Sequence, residues 1–184
     1  MKKEKVRKIL HQSIQKNGAV TLYRLCDPVY KTIWPLAVSE KLILGCKDND
    51  FLLDGFEILR IKDIHKIYAQ DSLYDQIMRQ EHLLDSIKKP NICFQSWKTV
   101  LTDLAIQEKT IIIEQENVDE AKSIFSIGQI KKIDKGQIYF WYFDADGVWS
   151  KKPRIIPYKE ITRISFDGRY EQTYGRYVTK NFSE

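Results

Sequence analysis

The sequence predicts a mainly β protein with flanking helices, built as two tandem five-stranded barrels, each preceded by a helix. Three observations predict it. First, Glu57–Ile67 has a counterpart in Arg154–Ile164, where Lys62-Asp63-Ile64 matches Lys159-Glu160-Ile161 and Ile67 matches Ile164. Second, the same offset (161 − 64 = 97) sets Lys41-Leu42-Ile43-Leu44 against Ile138-Tyr139-Phe140-Trp141. Third, in each copy a helical apolar period gives way to short strand-like stretches punctuated by turn residues. A lone sheet of five short strands cannot bury both faces, and closing it into a barrel removes its edges.

The first copy opens on a helix, because Val6, Ile9, Leu10 and Ile14 recur at the 3.6-residue period. Strands follow at Ala19–Leu25 and at about 33–38, 41–47 and 53–61, with Asp48-Asn49-Asp50 as turn chemistry, and Ile64–Ala69 closes the copy. A linking helix over Ser72–Ile87 aligns Leu73, Ile77, Leu84 and Ile87 on one face. Lys88-Lys89-Pro90-Asn91 ends it, since proline cannot continue a helix and restricts the residue before it. The second copy opens on a helix carrying Trp97, Val100, Leu101, Leu104 and Ala105, with Ser96 as N-cap. Its strands are expected over 110–115, 124–133, 137–144 and 148–157, and Ile161–Phe166 closes it. The domain boundaries are 1–90, the first repeat with the linking helix, and 91–184, the second repeat with a C-terminal helix.

This element order resembles Sm-like and SH3-like small β-barrels, whose N-terminal helix caps one open end. Neither copy carries the Sm glycine and asparagine signature. The stretch Phe56–Ile64 also resembles WYL regulatory domains, which share that barrel. Through Asp54–Ile64 (DGF…R…DI) and Asp146–Tyr170 (DG-W…I-Y-EIT-I-F…RY), most of the chain resembles a family of uncharacterised bacterial tandem-repeat proteins. That resemblance implies no particular activity.

Composition excludes several classes. The chain has 184 residues, 43% of them hydrophobic, which is enough for a core and argues against disorder throughout. No apolar run approaches the ~20 residues of a membrane-spanning helix. The N-terminal Met1-Lys2-Lys3 leads into no apolar secretory segment, so a cytoplasmic location without membrane association is expected. Lys plus Arg number 30 against 25 acids, with cations gathered at the start (Lys2, Lys3, Lys5, Arg7, Lys8) and towards the end (Arg163, Arg169, Arg176, Lys180). Cys26, Cys46 and Cys93 are widely spaced with no CxxC pair, so buried reduced thiols are expected rather than a zinc or redox site.

The catalytic inventory is thin. His11, His65 and His82 fall in no metal-ligand spacing, and there is no nucleophile elbow or phosphate-cradling glycine loop. No enzyme activity, cofactor or metal is expected. Asp144-x-Asp146-Gly147 hints at a calcium loop, but the twelfth position is Ile155, which cannot coordinate; a hairpin turn with Gly147 at positive φ accounts for the same residues.

Two segments offer contact surfaces. In Tyr139-Phe140-Trp141-Tyr142-Phe143, strand alternation puts Tyr139, Trp141 and Phe143 on one face and Phe140 and Tyr142 on the other. A small barrel has one dry interior, so the outer aromatic set needs a cover: the C-terminal helix, the other barrel, a second subunit or a ligand. In the C-terminal helix Tyr170, Tyr174 and Tyr177 share one stripe, flanked by Arg169 and Arg176. Packing onto the second barrel and stacking of bases with arginines on phosphates are the two readings of that stripe. The candidate contacts are therefore Trp141, Arg169, Tyr170, Arg176 and Tyr177. The expected function is a non-catalytic binding or scaffold protein acting on an unknown protein partner or by self-association. The alternative is binding of RNA or single-stranded nucleic acid.

Overall fold

The structure, a computed structural model, describes residues 2–27 and 29–178; Lys180, one of the C-terminal cations, lies outside them. The first helix, α1 (Lys3–Gln15), precedes β1 (Val20–Arg24), β2 (Lys31–Val38), β3 (Leu42–Asn49), β4 (Leu52–Arg60) and β5 (Ile64–Ala69). Next come α2 (Leu73–Gln80) and α3 (Trp97–Ile106). They lead to β6 (Ile111–Gln115), β7 (Ile124–Ile133), β8 (Gln137–Phe143), β9 (Arg154–Pro157), β10 (Arg163–Phe166) and α4 (Arg169–Tyr177). A 3-10 turn joins β4 to β5 (Ile61–Asp63) and another lies between β9 and β10 (Tyr158–Glu160).

The ten strands form one open antiparallel sheet in the order β5-β1-β2-β3-β4-β10-β6-β7-β8-β9. Two closed barrels, as the sequence predicts, are not what forms. The free edge of β4 takes β10 as its neighbour, in the register Leu59–Arg163, Ile58–Ile164, Glu57–Ser165 and Phe56–Phe166. Each half thereby buries an edge against the other, satisfying backbone groups that closure would otherwise satisfy.

Alternation across that seam divides the core. Leu59 points to the face covered by α1, where Val6 and Leu10 pack with Val20, Leu22, Ile33, Ile43 and Ile67. Ile58 points to the opposite face and joins Val100, Leu101 and Leu104 of α3 over Ile113, Phe140, Ile156 and Ile164. The two main apolar clusters thus lie on opposite faces of one sheet. Met78 of α2 covers Trp34 and Cys46, and α4 packs over Ile112, Ile127 and Phe143. The sheet also coils strongly: Arg24, at the end of β1, bonds Glu116, just past β6.

Local chemistry explains where the elements stop. Ser96 caps α3, its Oγ accepting from Thr99 N, as the sequence predicts. The helix expected over Ser72–Ile87 ends at Gln80, because His82 takes a left-handed φ of 55°, and a 3-10 turn follows at Leu83–Ser86. The strand expected over 148–157 is confined to Arg154–Pro157, with one bridge between Phe143 and Trp149. Between them Asp144 Oδ1 accepts from Asp146 N at 3.0 Å and Val148 N at 2.9 Å, and Gly147 sits at φ 77°, which is the hairpin turn expected there. The β3–β4 turn puts Asp50 and Phe51 at φ 50° and 66°. Phe51 is held there by stacking on Tyr74, with ring centroids 4.1 Å apart, and by its N–H donating to Tyr74 Oη at 2.6 Å. Among the thiols Cys46 is buried and Cys26 half-buried, but Cys93 is exposed, contrary to the expectation of buried cysteines; all three are free. No helix among the described residues is long and apolar enough to cross a membrane.

Candidate functional site: a basic cleft at one end of the seam

Where the two halves meet, the 3-10 turns after β4 and β9 lie side by side, and Arg60 Nη1 donates to Lys159 O at 2.9 Å. The start of α1, the β2–β3 turn and the start of α3 converge on the same place. They enclose a cleft of about 370 Å³. Its cations are Lys3, Arg7, Lys41, Arg60, Lys62 and Lys159; its one carboxylate is Glu40. Six minus one leaves an excess of +5, equal to the formal net charge of the whole chain. The residues outside this lining therefore carry a formal net charge of zero.

Five of these cations make no ion pair among the described residues; Arg60 bonds Asp63 at 2.5 Å. Among the described residues Arg7 is steadied by the Glu40 carbonyl alone, at 3.3 Å. The positive end of α3 adds to the same sign of field, with Ser96 and Trp97 in the cleft wall. Half-buried Tyr158 supplies aromatic surface, while Trp97, 8% exposed, meets the cleft only with the edge of a core side chain. Tyr158 is tied by its hydroxyl to Asp134 O at 2.9 Å, and burial followed by the nearby Asp134 charge raises its pKa. Such a lining attracts anions, and its volume falls within the range of small-molecule sites. It holds no nucleophile–base pair.

The residues singled out by sequence lie elsewhere. Arg169 opens α4 beyond the far end of β10, its N–H donating to Asp54 Oδ1 at 2.6 Å. Tyr174 covers Phe143, stacked at 5.6 Å, so the C-terminal helix covers part of the outer aromatic face. Tyr170 is half-exposed and leans on the Tyr174 ring at 4.9 Å, and Tyr177 is 80% exposed, so of the stripe it is Tyr174 that packs onto the sheet. Arg169 and Arg176 are exposed, and Trp141 is half-buried on β8. None of these five lines the cleft. The cleft residues escaped sequence reading because they come from five separated segments. One signal was present: Lys62 and Lys159 are counterparts at the 97-residue offset, and both face the cleft.

A second polar cluster lies within the coil. The Arg24 side chain is fully buried and forks between Asp27 and Glu116, with four bonds of 2.5–2.8 Å. Glu116 also accepts from the Thr162 hydroxyl at 2.7 Å and lies 3.1 Å from Arg163. Burial opposes ionisation of Glu116, but the bonds from Arg24, the charge of Arg163 and the Thr162 hydroxyl outweigh it and hold its pKa at about 2. Cys26, Asp27 and Glu116 place ligand atoms within 4.8 Å of one another, the spacing a metal needs. The Arg24 guanidinium already bonds both carboxylates, and burial pushes the Cys26 thiol up to about 11. A dication there would face a buried arginine and a protonated thiol, so the residues do not fit a metal.

Comparison of the chain with protein-family models, with curated proteins and with solved structures found no match.

Proposed function

We propose that the chain is a non-catalytic binding protein for single-stranded RNA, with one nucleotide unit and its phosphates seated in the basic cleft. The observation that carries this reading is the set of six cations against one carboxylate around a 370 Å³ hollow. Phosphate neutralisation by lysine and arginine supplies most of the affinity for such a ligand, and aromatic surface accepts bases without regard to sequence. The reading includes a finer view of the fold, in which each half is a curled Sm-like or SH3-like unit arising by duplication. The matching orders β5-β1-β2-β3-β4 and β10-β6-β7-β8-β9 support it, as does the coil that brings Arg24 to Glu116.

Fluorescence anisotropy with a mixed-sequence single-stranded RNA tests the site. The triple variant Lys41→Ala, Lys62→Ala, Lys159→Ala removes three exposed cations that hold no carboxylate. It is expected to bind at least tenfold more weakly at low salt. It should also flatten the slope of log K against log salt by about 2, since each lost phosphate contact removes about 0.7. The double variant Arg169→Ala, Arg176→Ala is expected to bind as the wild type does. Loss of binding in the α4 variant alone would move the site to that helix. No binding by the wild type at low salt, where electrostatics are strongest, would end the RNA reading.

A further inference from the structure

The open sheet has two outer edges, β5 and β9, and they differ in what they offer. In the β1–β5 ladder Gln70 N donates to Ala19 O, so alternation turns the backbone groups of Ile67 and Ala69 outward. These outward N–H and C=O groups have no partner among the described residues. At the other edge Tyr158 N donates to Gly136 O, which turns Ile155 and Pro157 outward from β8. Pro157, and Pro153 just before the strand, lack an N–H, so β9 is blunted. β5 has no such protection.

The seam shows what an edge of this kind accepts. Arg163-Ile164-Ser165-Phe166 of β10 corresponds to Lys66-Ile67-Tyr68-Ala69 of β5, since 163 − 66 = 97. On β10 this edge takes β4, which sets Ile58 opposite Ile164, and Glu57 opposite Ser165 and diagonal to Arg163. The same strand chemistry laid along β5 sets an apolar residue opposite Ile67 and an acid diagonal to Lys66. Around that edge the surface is exposed and rich in apolar groups. Tyr68 is 46% exposed and Tyr30 60%, and Lys66 Nζ lies over the rings of Tyr23 and Tyr68 at 5.2 and 4.9 Å. A second copy cannot fill the edge as β4 fills the seam, because the counterpart of β4 in the second half is the proline-blunted β9.

We propose that the outer edge of β5 is a docking site for an extended, acid-bearing segment of a partner protein, which adds antiparallel as a further strand. Main-chain bonds to Ile67 and Ala69 supply the affinity, and Lys66 selects an acid beside an apolar residue. In strand order the site lies at the other edge of the first half from the seam, Lys66, Ile67 and Ala69 are not among the cleft residues, and the proposal is independent of the RNA reading.

The test uses a fluorescein-labelled peptide copying Leu52–Arg60 (LLDGFEILR), titrated with the full chain. Saturable binding is expected. Ala69→Pro removes one outward donor at an exposed position and is expected to weaken it at least tenfold. Lys66→Glu, which touches no core, is expected to do the same, as is Glu57→Lys within the peptide. RNA binding by both protein variants should match the wild type, which separates this site from the cleft. Absence of saturable binding, or equal binding by Ala69→Pro and Lys66→Glu, overturns the proposal. A wild-type dimer in light scattering that Ala69→Pro dissociates would assign the edge to a second copy and overturn it too.

Discussion

Arg24→Met is expected to destabilise the fold by about 3–5 kcal/mol, the range for removing one partner of a buried ion pair. The side chain is fully buried and carries four bonds to Asp27 and Glu116. Methionine fills much of the space but leaves two carboxylates facing each other, with Arg163 the one remaining cation paired to Glu116 among the described residues. Arg24→Lys should recover little, because an ammonium cannot form the planar fork. Adding Glu116→Gln to Arg24→Met should restore part of the loss, since the orphaned charge goes with it; urea denaturation of the four members of that cycle measures the coupling. The pH dependence has a definite sign. Glu116 ordinarily titrates at 4.5 and here at about 2, so the folded state binds fewer protons. Its contribution is complete above about pH 4.5 and fades as pH falls through about 2. In Arg24→Met the acid-unfolding midpoint should move upward.

Gly55→Ala is expected to cost about 2–5 kcal/mol, from a left-handed backbone and an overlap that cannot relax. Gly55 sits at φ 71°, and a Cβ there would lie 2.2 Å from Gly168 N and 2.6 Å from Asp167 C. Both obstacles are backbone, so no rotamer change relieves them. The clash falls where β4 crosses the start of α4, next to the bond from Arg169 N to Asp54 Oδ1. A loss of stability should therefore come with loosening of α4, readable as faster amide exchange over Arg169–Tyr177. Gly136→Ala is the control: a Cβ there meets nothing within 4 Å, and its effect should be near zero.

Much of the architecture was legible in local pattern. Val6 and Leu10, Ser96, the Asp144–Gly147 turn and the limits of β5 all followed from periodicity and turn chemistry, which depend on neighbours in sequence. The seam was not legible. Nothing in Phe56–Leu59 or Arg163–Phe166 says that these two strands prefer each other to closure within their own halves, because pairing choice is a long-range competition between edges. The cleft was hidden for a related reason. Lys3, Lys41, Lys62 and Lys159 each look like an ordinary solvated lysine, and only the junction of the halves makes them a set. Aromatic runs drew attention to Tyr139–Phe143 and α4 instead, where Tyr174 turns out to serve packing against Phe143.

The strand that joins the halves is also the last of the ten strands among the described residues. β10 lies between β4 and β6, yet both of those are complete before Arg163 exists. During synthesis the first half therefore emerges with its β4 edge bare and must wait for Ile164, which lies 106 residues beyond its partner Ile58 (164 − 58 = 106). Contacts of such sequence separation slow folding, and a waiting edge is a template for wrong pairing. Timing thus becomes a property of this topology. The N-terminal helix and first five strands can be made early, but the sheet is finished only when the four residues Arg163–Phe166 slide between edges that have stood open since they were translated.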